Sequence, residues 1–289
     1  MELLTDLAPL VAELRALGYR VVGPTMRDGV IVLADLDTAA QLPHGWEVEA
    51  SPGRYQLRRR TDCAAFAHST GPQSWKQFLH PPRQALWSAD RLAGETDFTV
   101  REPQPDPAPL ALLGVRGCDL RAIAVQLRVF GPDSDYARRL DAAFIVAVNC
   151  TEPAATCFCV SAGGGPRAGD GYDLALTELT GDGSIRYVVE VGSAKGGALL
   201  GRLPYAGADP ADVLRANEQI MAAEGAMGRA LPDADLPGVL AASVASPHWQ
   251  DVASRCLTCG NCTMVCPTCF CTSVVDTTDV TASTSTTSA

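Results

Sequence analysis

Six of the eleven cysteines in this 289-residue chain lie between Cys256 and Cys271. The run Cys256-Leu-Thr-Cys259-Gly-Asn-Cys262-Thr-Met-Val-Cys266-Pro267 spaces four of them as C-x2-C-x2-C-x3-C-P. Thiolates are soft ligands, and this spacing is one that holds a [4Fe–4S] cluster. Thiolates at three-residue intervals wrap a turning backbone around one face of a cubane. Gly260 permits a positive φ or a close approach, and Pro267 steers the chain away afterwards. Turning amides then donate to the sulfurs and tune the potential. The expected ligands are Cys256, Cys259, Cys262 and Cys266. Cys269 and Cys271 are alternatives for the fourth position, because the last cysteine of such a run serves a second cluster in two-cluster ferredoxins.

Two other chemistries compete for the same residues. Structural zinc uses two C-x2-C pairs separated by a dozen or more residues, whereas these pairs are nested. A thioredoxin-type redox pair needs two cysteines at a helix start, not four in sequence. Four further cysteines, Cys118, Cys150, Cys157 and Cys159, lie upstream. They form either a second metal site or a set of small buried hydrophobes. Cys63 stands alone and reads as structural. His44, His68, His80 and His248 show no ligand spacing. Gly163-Gly164-Gly165-Pro166 lacks the Gly-Lys-Ser/Thr ending of a phosphate loop.

The elements that must position these thiols follow from hydrophobic periodicity. Leu3, Leu7, Leu10, Val11, Leu14 and Leu17 recur at helical spacing, with Gly18 as a stop. Tyr19–Val22 and Val30–Ala34 flank Asp28-Gly29 as a hairpin. Trp75 and Phe78 are expected in the core. Leu110–Val115 and Ala142–Val148 read as strands. Between them lies a helix that Asp119 can cap, with Leu120, Ile123, Ala124, Leu127 and Phe130 as its apolar face, and a second short helix over Asp133–Leu140. This is a βαβ unit with parallel strands, so Cys118 and Cys150 fall beyond the carboxyl ends of neighbouring strands. Tyr172–Leu179 and Ile185–Val191 form a hairpin, and a helix runs from Asp209 to about Met227.

The fold class expected is α+β: a mixed α/β N-terminal region with a βαβ core and a C-terminal ferredoxin-like iron–sulfur segment. Residues 1–100 read as a small α+β unit, 110–231 as the α/β core, 246–275 as the iron–sulfur segment and 276–289 as a disordered tail. The proline-rich stretch Glu102–Pro109 is the first boundary. The last 14 residues contain nine Ser or Thr and no aromatic residue.

Composition narrows the function classes. The net charge is −10, which argues against nucleic acid as a partner. No apolar run approaches the length of a membrane span, and no secretory signal opens the chain. A reducing, cytoplasmic setting is expected, and an odd number of thiols rules out a complete disulfide framework.

Several motifs occur together and in order: Val115-Arg-Gly-Cys-Asp-Leu-Arg-Ala-Ile123, Asn149-Cys-Thr-Glu-Pro-Ala-Ala-Thr-Cys-Phe-Cys159, Gly171-Tyr-Asp-Leu174 and Cys266-Pro-Thr-Cys-Phe-Cys271, with Gly71-Pro-Gln-Ser-Trp-Lys76 upstream. This set resembles the beta subunits of sulfhydrogenases, the cytoplasmic nickel–iron hydrogenases, and is similar to the A-type subunits of anaerobic sulfite reductases. The resemblance covers about residues 1–280. It implies a non-catalytic electron-transfer subunit with a dicluster ferredoxin module, working beside a flavin and nicotinamide-binding subunit plus a catalytic metal subunit. The family continues to a second cysteine quartet where this chain has its Thr/Ser tail. One cluster is therefore expected, with a second upstream as an option. A zinc-stabilised scaffold and a truncated, nonfunctional relative are the competing readings.

Overall fold

The structure is a computed structural model and describes residues 1–51, 54–69, 71, 73–90, 97–102, 108–181, 183–278 and 284–288. The first part of the chain contributes β1 (Glu2–Leu4), α1 (Ala8–Ala16), β2 (Arg20–Arg27), β3 (Val30–Asp35), β4 (Trp46–Ser51), β5 (Arg54–Arg59), α2 (Lys76–Leu79), β6 (Ala85–Asp90) and β7 (Thr99–Arg101). The middle contributes β8 (Leu110–Val115), α3 (Gly117–Phe130), α4 (Asp135–Ala142), β9 (Phe144–Val148), β10 (Leu174–Gly181), β11 (Ser184–Val191), α5 (Ala194–Leu200), β12 (Ala206–Gly207) and α6 (Pro210–Gly225). Short elements follow: α7 (Leu236–Ala242), α8 (His248–Ser254), α9 (Asn261–Val265), β13 (Val275–Thr278) and β14 (Thr284–Ser288).

Eight strands form one mixed sheet in the order β12-β1-β11-β10-β9-β8-β2-β3. The central pairs β2–β8, β8–β9 and β9–β10 are parallel, and antiparallel strands flank them. The α+β class and the βαβ unit expected from the periodicity are present. Segments 1–100 and 110–231, read from the sequence as two units, contribute strands to this same sheet, because β2 pairs with β8. Most of the proline stretch assigned as a boundary, 103–107, lies outside the described residues.

Both faces of the central strands are buried, and the alternation shows it. Phe144, Val146 and Val148 pack on one face with Leu10, Leu14 and Leu174. Ile145 and Ala147 point to the other, with Trp75, Leu79, Leu120 and Ile123. Strands covered on both sides read as near-continuous apolar runs. In β8 the register shifts between Leu113 and Val115, at Gly114 with φ of 98°. A Cβ there would meet Phe66 and Pro24 at 3.2 Å. This bulge turns the end of β8 and so aims the turn that carries Arg116 and Cys118.

Several element boundaries differ from the periodicity reading. Leu3 and Leu4 lie in β1, paired with β11, and the helix starts only at Ala8. Helix α3 begins two residues before Asp119, with Arg116 at the N-cap; Asp119 sits at the third helical position and its Oδ2 accepts the Arg116 N–H at 3.1 Å. Ala142 ends α4 rather than starting β9. Asp28 (φ 49°) and Gly29 (φ 75°) form the expected tight turn of the β2–β3 hairpin. Trp75 is buried, as expected.

The tail expected to be disordered instead carries β13 and β14, and β14 pairs antiparallel with β6. Threonine favours extended backbone, and pairing with β6 needs no apolar core. Residues 279–283 and 289 lie outside the described residues.

Candidate functional site

The C-terminal quartet sits on a turn and one short helix. After α8, the Cys256 N–H donates to Ala253 O at 3.1 Å, and the Thr258 N–H then points to Cys256 Sγ at 3.4 Å. Thr258 (φ 52°) and Gly260 (φ 74°) both adopt left-handed backbone, which reverses the chain and starts α9. Cys262 lies in α9, and the Cys266 N–H closes the helix onto Cys262 O at 3.0 Å. Cys256, Cys259 and Cys262 are exposed, while Cys266 and Cys269 are half-buried.

Cys266 and Cys269 share a hydrogen bond, and Cys266 Sγ also lies 3.1 Å from Thr268 Oγ1. These contacts, Thr268 foremost, hold the Cys266 thiol below its ordinary range; Cys269 is pushed up by its bond to Cys266.

What holds this segment to the body of the protein is Lys76, at the start of α2. It is 8% exposed, and its ammonium donates to the carbonyls of Thr263 (3.2 Å), Cys266 (3.3 Å) and Cys269. Phe270 packs edge-on against Phe130 of α3, with centroids 5.8 Å apart. Lys76, Phe130, Arg139, Cys269 and Phe270 line a cavity of about 390 Å³. Burial, then Lys76 and Arg139, hold His80 below its ordinary range, so this wall is cationic.

The upstream cysteines do come together. Cys118 stands in the first turn of α3, Cys150 just after β9, and Cys157 and Cys159 in the loop that follows. All four line one cavity of about 510 Å³. The loop is held closely: the Cys150 N–H donates to Pro166 O (2.9 Å), the Gly164 N–H to Cys159 O (2.9 Å) and the Arg229 N–H to Cys157 O (2.9 Å). Gly117 makes the helix start fit, since a Cβ there would lie 2.8 Å from Arg167 O. Burial, aided by Asp119 and then Cys150, pushes the Cys118 thiol up to about 12. A ligand must therefore displace its proton.

Arg116 closes the floor of this cavity and is buried. Its guanidinium donates to Phe66 O (2.5 Å), His68 O (3.1 Å) and Cys150 Sγ (3.4 Å). His68, also on the wall, is buried; its Nδ1 faces Ser69 O at 3.2 Å, and its Nε2 has no hydrogen-bond partner. Sequence reading gave His68 no role and gave Arg116 and Lys76 none beyond their motifs. Only the place of Arg116, two residues before Cys118, hinted at it. Cys63 is exposed and apart from both groups.

Among the described residues, no three His, Cys, Asp or Glu side chains converge tightly enough to hold one metal ion. The donor chemistry nonetheless fits an iron–sulfur cluster at the quartet: soft thiols, an N–H aimed at sulfur and a buried cation beside them. Among the described residues, no helix is long and apolar enough to cross a membrane.

The chain is 34% identical over 207 residues to sulfhydrogenase 2 subunit beta of Pyrococcus furiosus. The chain belongs to the sulfhydrogenase beta subunit family. The match takes in 70% of this chain and 58% of that relative, so the chain spans less than two thirds of the relative's length. No protein-family profile matches, and no solved structure does.

Proposed function

We propose that this chain is an electron-transfer subunit of a hydrogenase-type redox complex, holding a [4Fe–4S] cluster on Cys256, Cys259, Cys262 and Cys266. The observation that carries the reading is the quartet itself: its spacing, its left-handed Gly260 and its anchorage by Lys76. The cluster, when bound, supplies one-electron chemistry. The protein's part is to hold it, shield it and set its potential.

Each residue has a role in that reading. Gly260 reverses the backbone between Cys259 and Cys262. The C-x2-C-x2-C-x3-C-P spacing supports Cys266 as fourth ligand, with Cys269 and Cys271 as the alternatives. Lys76 brings positive charge against an anionic group and fixes three carbonyls that would otherwise point toward it. Val239, Leu240, Val244, Trp249 and Leu257 are exposed beside the segment in sequence, which suits docking to partner subunits. The proposed neighbours, in a cytoplasmic complex, are a flavin and nicotinamide-binding subunit plus a catalytic metal subunit.

The test is anaerobic reconstitution of the full chain with iron and sulfide. A brown protein that bleaches on reduction, and a Cys259→Ser/Cys262→Ser variant that loses this absorption, support the reading. A colourless protein that takes up zinc without sulfide overturns it in favour of a zinc-stabilised scaffold.

A further inference from the structure

We propose that the cavity at the carboxyl ends of β8 and β9 is a second iron–sulfur site, with Cys118, Cys150, Cys157 and Cys159 as its thiolate ligands and Arg116 as its compensating charge.

Position is the first ground. Ligands of parallel sheets bind at the carboxyl ends of the strands. Here a helix start, a strand end and one loop deliver four thiols to one cavity there. Chance burial of small hydrophobes does not concentrate four thiols on one wall. The Gly114 bulge and the close fit at Gly117 also show a backbone shaped at this spot.

Size is the second ground. A tetrahedral zinc ion, with Zn–S near 2.3 Å, needs its sulfurs within about 4 Å of one another. No three ligand-type side chains among the described residues close in that way. The thiols instead contribute to the lining of an open cavity of about 510 Å³. A cubane carries iron and sulfide between its ligands and keeps them apart, so it suits such a space.

Charge is the third. A buried cation is costly unless it is paired. The guanidinium of Arg116 spends its donors on two carbonyls and the Cys150 sulfur. Asp119 and Glu178 already act on this charge, and four thiolates around a cluster would add the anionic partner on its cavity side, where Cys150 Sγ lies. His68 is an independent pointer. Its ring is 8% exposed, and its Nε2 is a buried nitrogen without a hydrogen-bond partner on the wall of the same cavity. Because Ser69 O can only accept, Nδ1 carries the proton and Nε2 keeps a free lone pair.

Pro267 lines this cavity too, and it directly follows Cys266. If the quartet holds its cluster, the two sites share the Cys266-Pro267 wall. The binding claim for the upstream cavity does not depend on that.

The experiment is anaerobic reconstitution of the full chain with ferrous iron and sulfide, reading iron and acid-labile sulfide per chain. The wild type should hold about eight of each, and the Cys118→Ser/Cys150→Ser and Cys259→Ser/Cys262→Ser variants about four of each. Since the first variant alters a helix start and a strand end, Cys157→Ala/Cys159→Ala in the loop provides a second test and should also fall to about four. Wild-type iron and sulfide in both upstream variants overturns the proposal. So does zinc uptake without sulfide by the Cys259→Ser/Cys262→Ser protein. If that protein keeps full iron while the upstream variants lose it, the quartet reading fails and this one stands.

Discussion

The ammonium of Lys76 donates to the backbone carbonyl of Cys269, 193 positions later in the chain. The same ammonium reaches the carbonyls of Thr263 and Cys266. One buried side chain thus pins the last two turns of the cysteine segment to helix α2.

Lys76→Met keeps the stem and removes the donors. It leaves three carbonyls beside an apolar terminus and should weaken docking of the segment by about 2 kcal/mol. Limited proteolysis should then cut near residues 263–271 well before the rest of the chain. The reconstituted protein should have a more negative reduction potential, because a positive charge beside the cluster is gone. Unchanged proteolysis and potential would show that Lys76 is not the anchor.

Gly260 has open space where a Cβ would go, so substitution there tests backbone conformation alone. Gly260→Ala should cost about 1–2 kcal/mol through its φ of 74°. Iron uptake at the quartet should fall. Gly260→Asn should recover most of it, because Asn tolerates the left-handed region. Equal uptake by the Ala and Asn variants would remove φ as the cause.

Arg60 joins three carboxylates: Asp62 (2.7 Å), Glu152 (2.7 Å) and Glu47 (3.2 Å). Through Glu152 it ties the β4–β5 side of the protein to the loop that carries Cys157 and Cys159. Its side chain is 14% exposed, so screening is limited. Arg60→Met should destabilise the fold by about 2 kcal/mol, whereas Glu152→Gln, on a half-exposed partner, should cost under about 1 kcal/mol. The Arg60 hydrogen bond holds Asp62 below 3.8. Its contribution is therefore full above that pH and is lost as pH falls through the lowered value. The stability gap between wild type and Arg60→Met, read from denaturation curves, should be narrower at pH 3 than at pH 7.

His68 adds a loss in the same direction, beginning at higher pH. Burial first, then Arg116, lowers it from 6.5 to about 3. The unfolded chain takes up a proton below 6.5 and the folded one does not, so stability falls as pH drops. Between pH 7 and pH 5 this one residue should account for a loss of about 2 kcal/mol. His68→Gln should flatten that slope in urea titrations. An identical slope in the variant would mean the ring is protonated in the folded state.

The quartet was legible because its signal is spacing within eleven residues. The βαβ unit was legible because both strands are covered on two faces and so read as apolar runs, and from it came the meeting of Cys118 with Cys150. Leu3 misled, because its spacing to Leu7 fits a helix while its backbone pairs with Val188 in β11. That pairing is a contact across 185 positions, which local periodicity does not carry. Lys76 and Arg116 escaped for the same reason: their partners are carbonyls and a sulfur remote in sequence, and a carbonyl has no residue type. His68 looked like a lone histidine, and its meaning lies in what surrounds it. The Thr/Ser tail was read for its lack of apolar residues, yet a strand added to β6 is held by backbone bonds that any composition supplies.

Strand β1 lies between β11 and β12. The neighbours that complete the hydrogen bonds of residues 2–4 are residues 187–189 and 206–207. During synthesis this strand waits, unpaired, until more than two hundred residues have emerged. The sheet that frames the cysteine cavity thus closes through contacts far apart in sequence, which form late in folding.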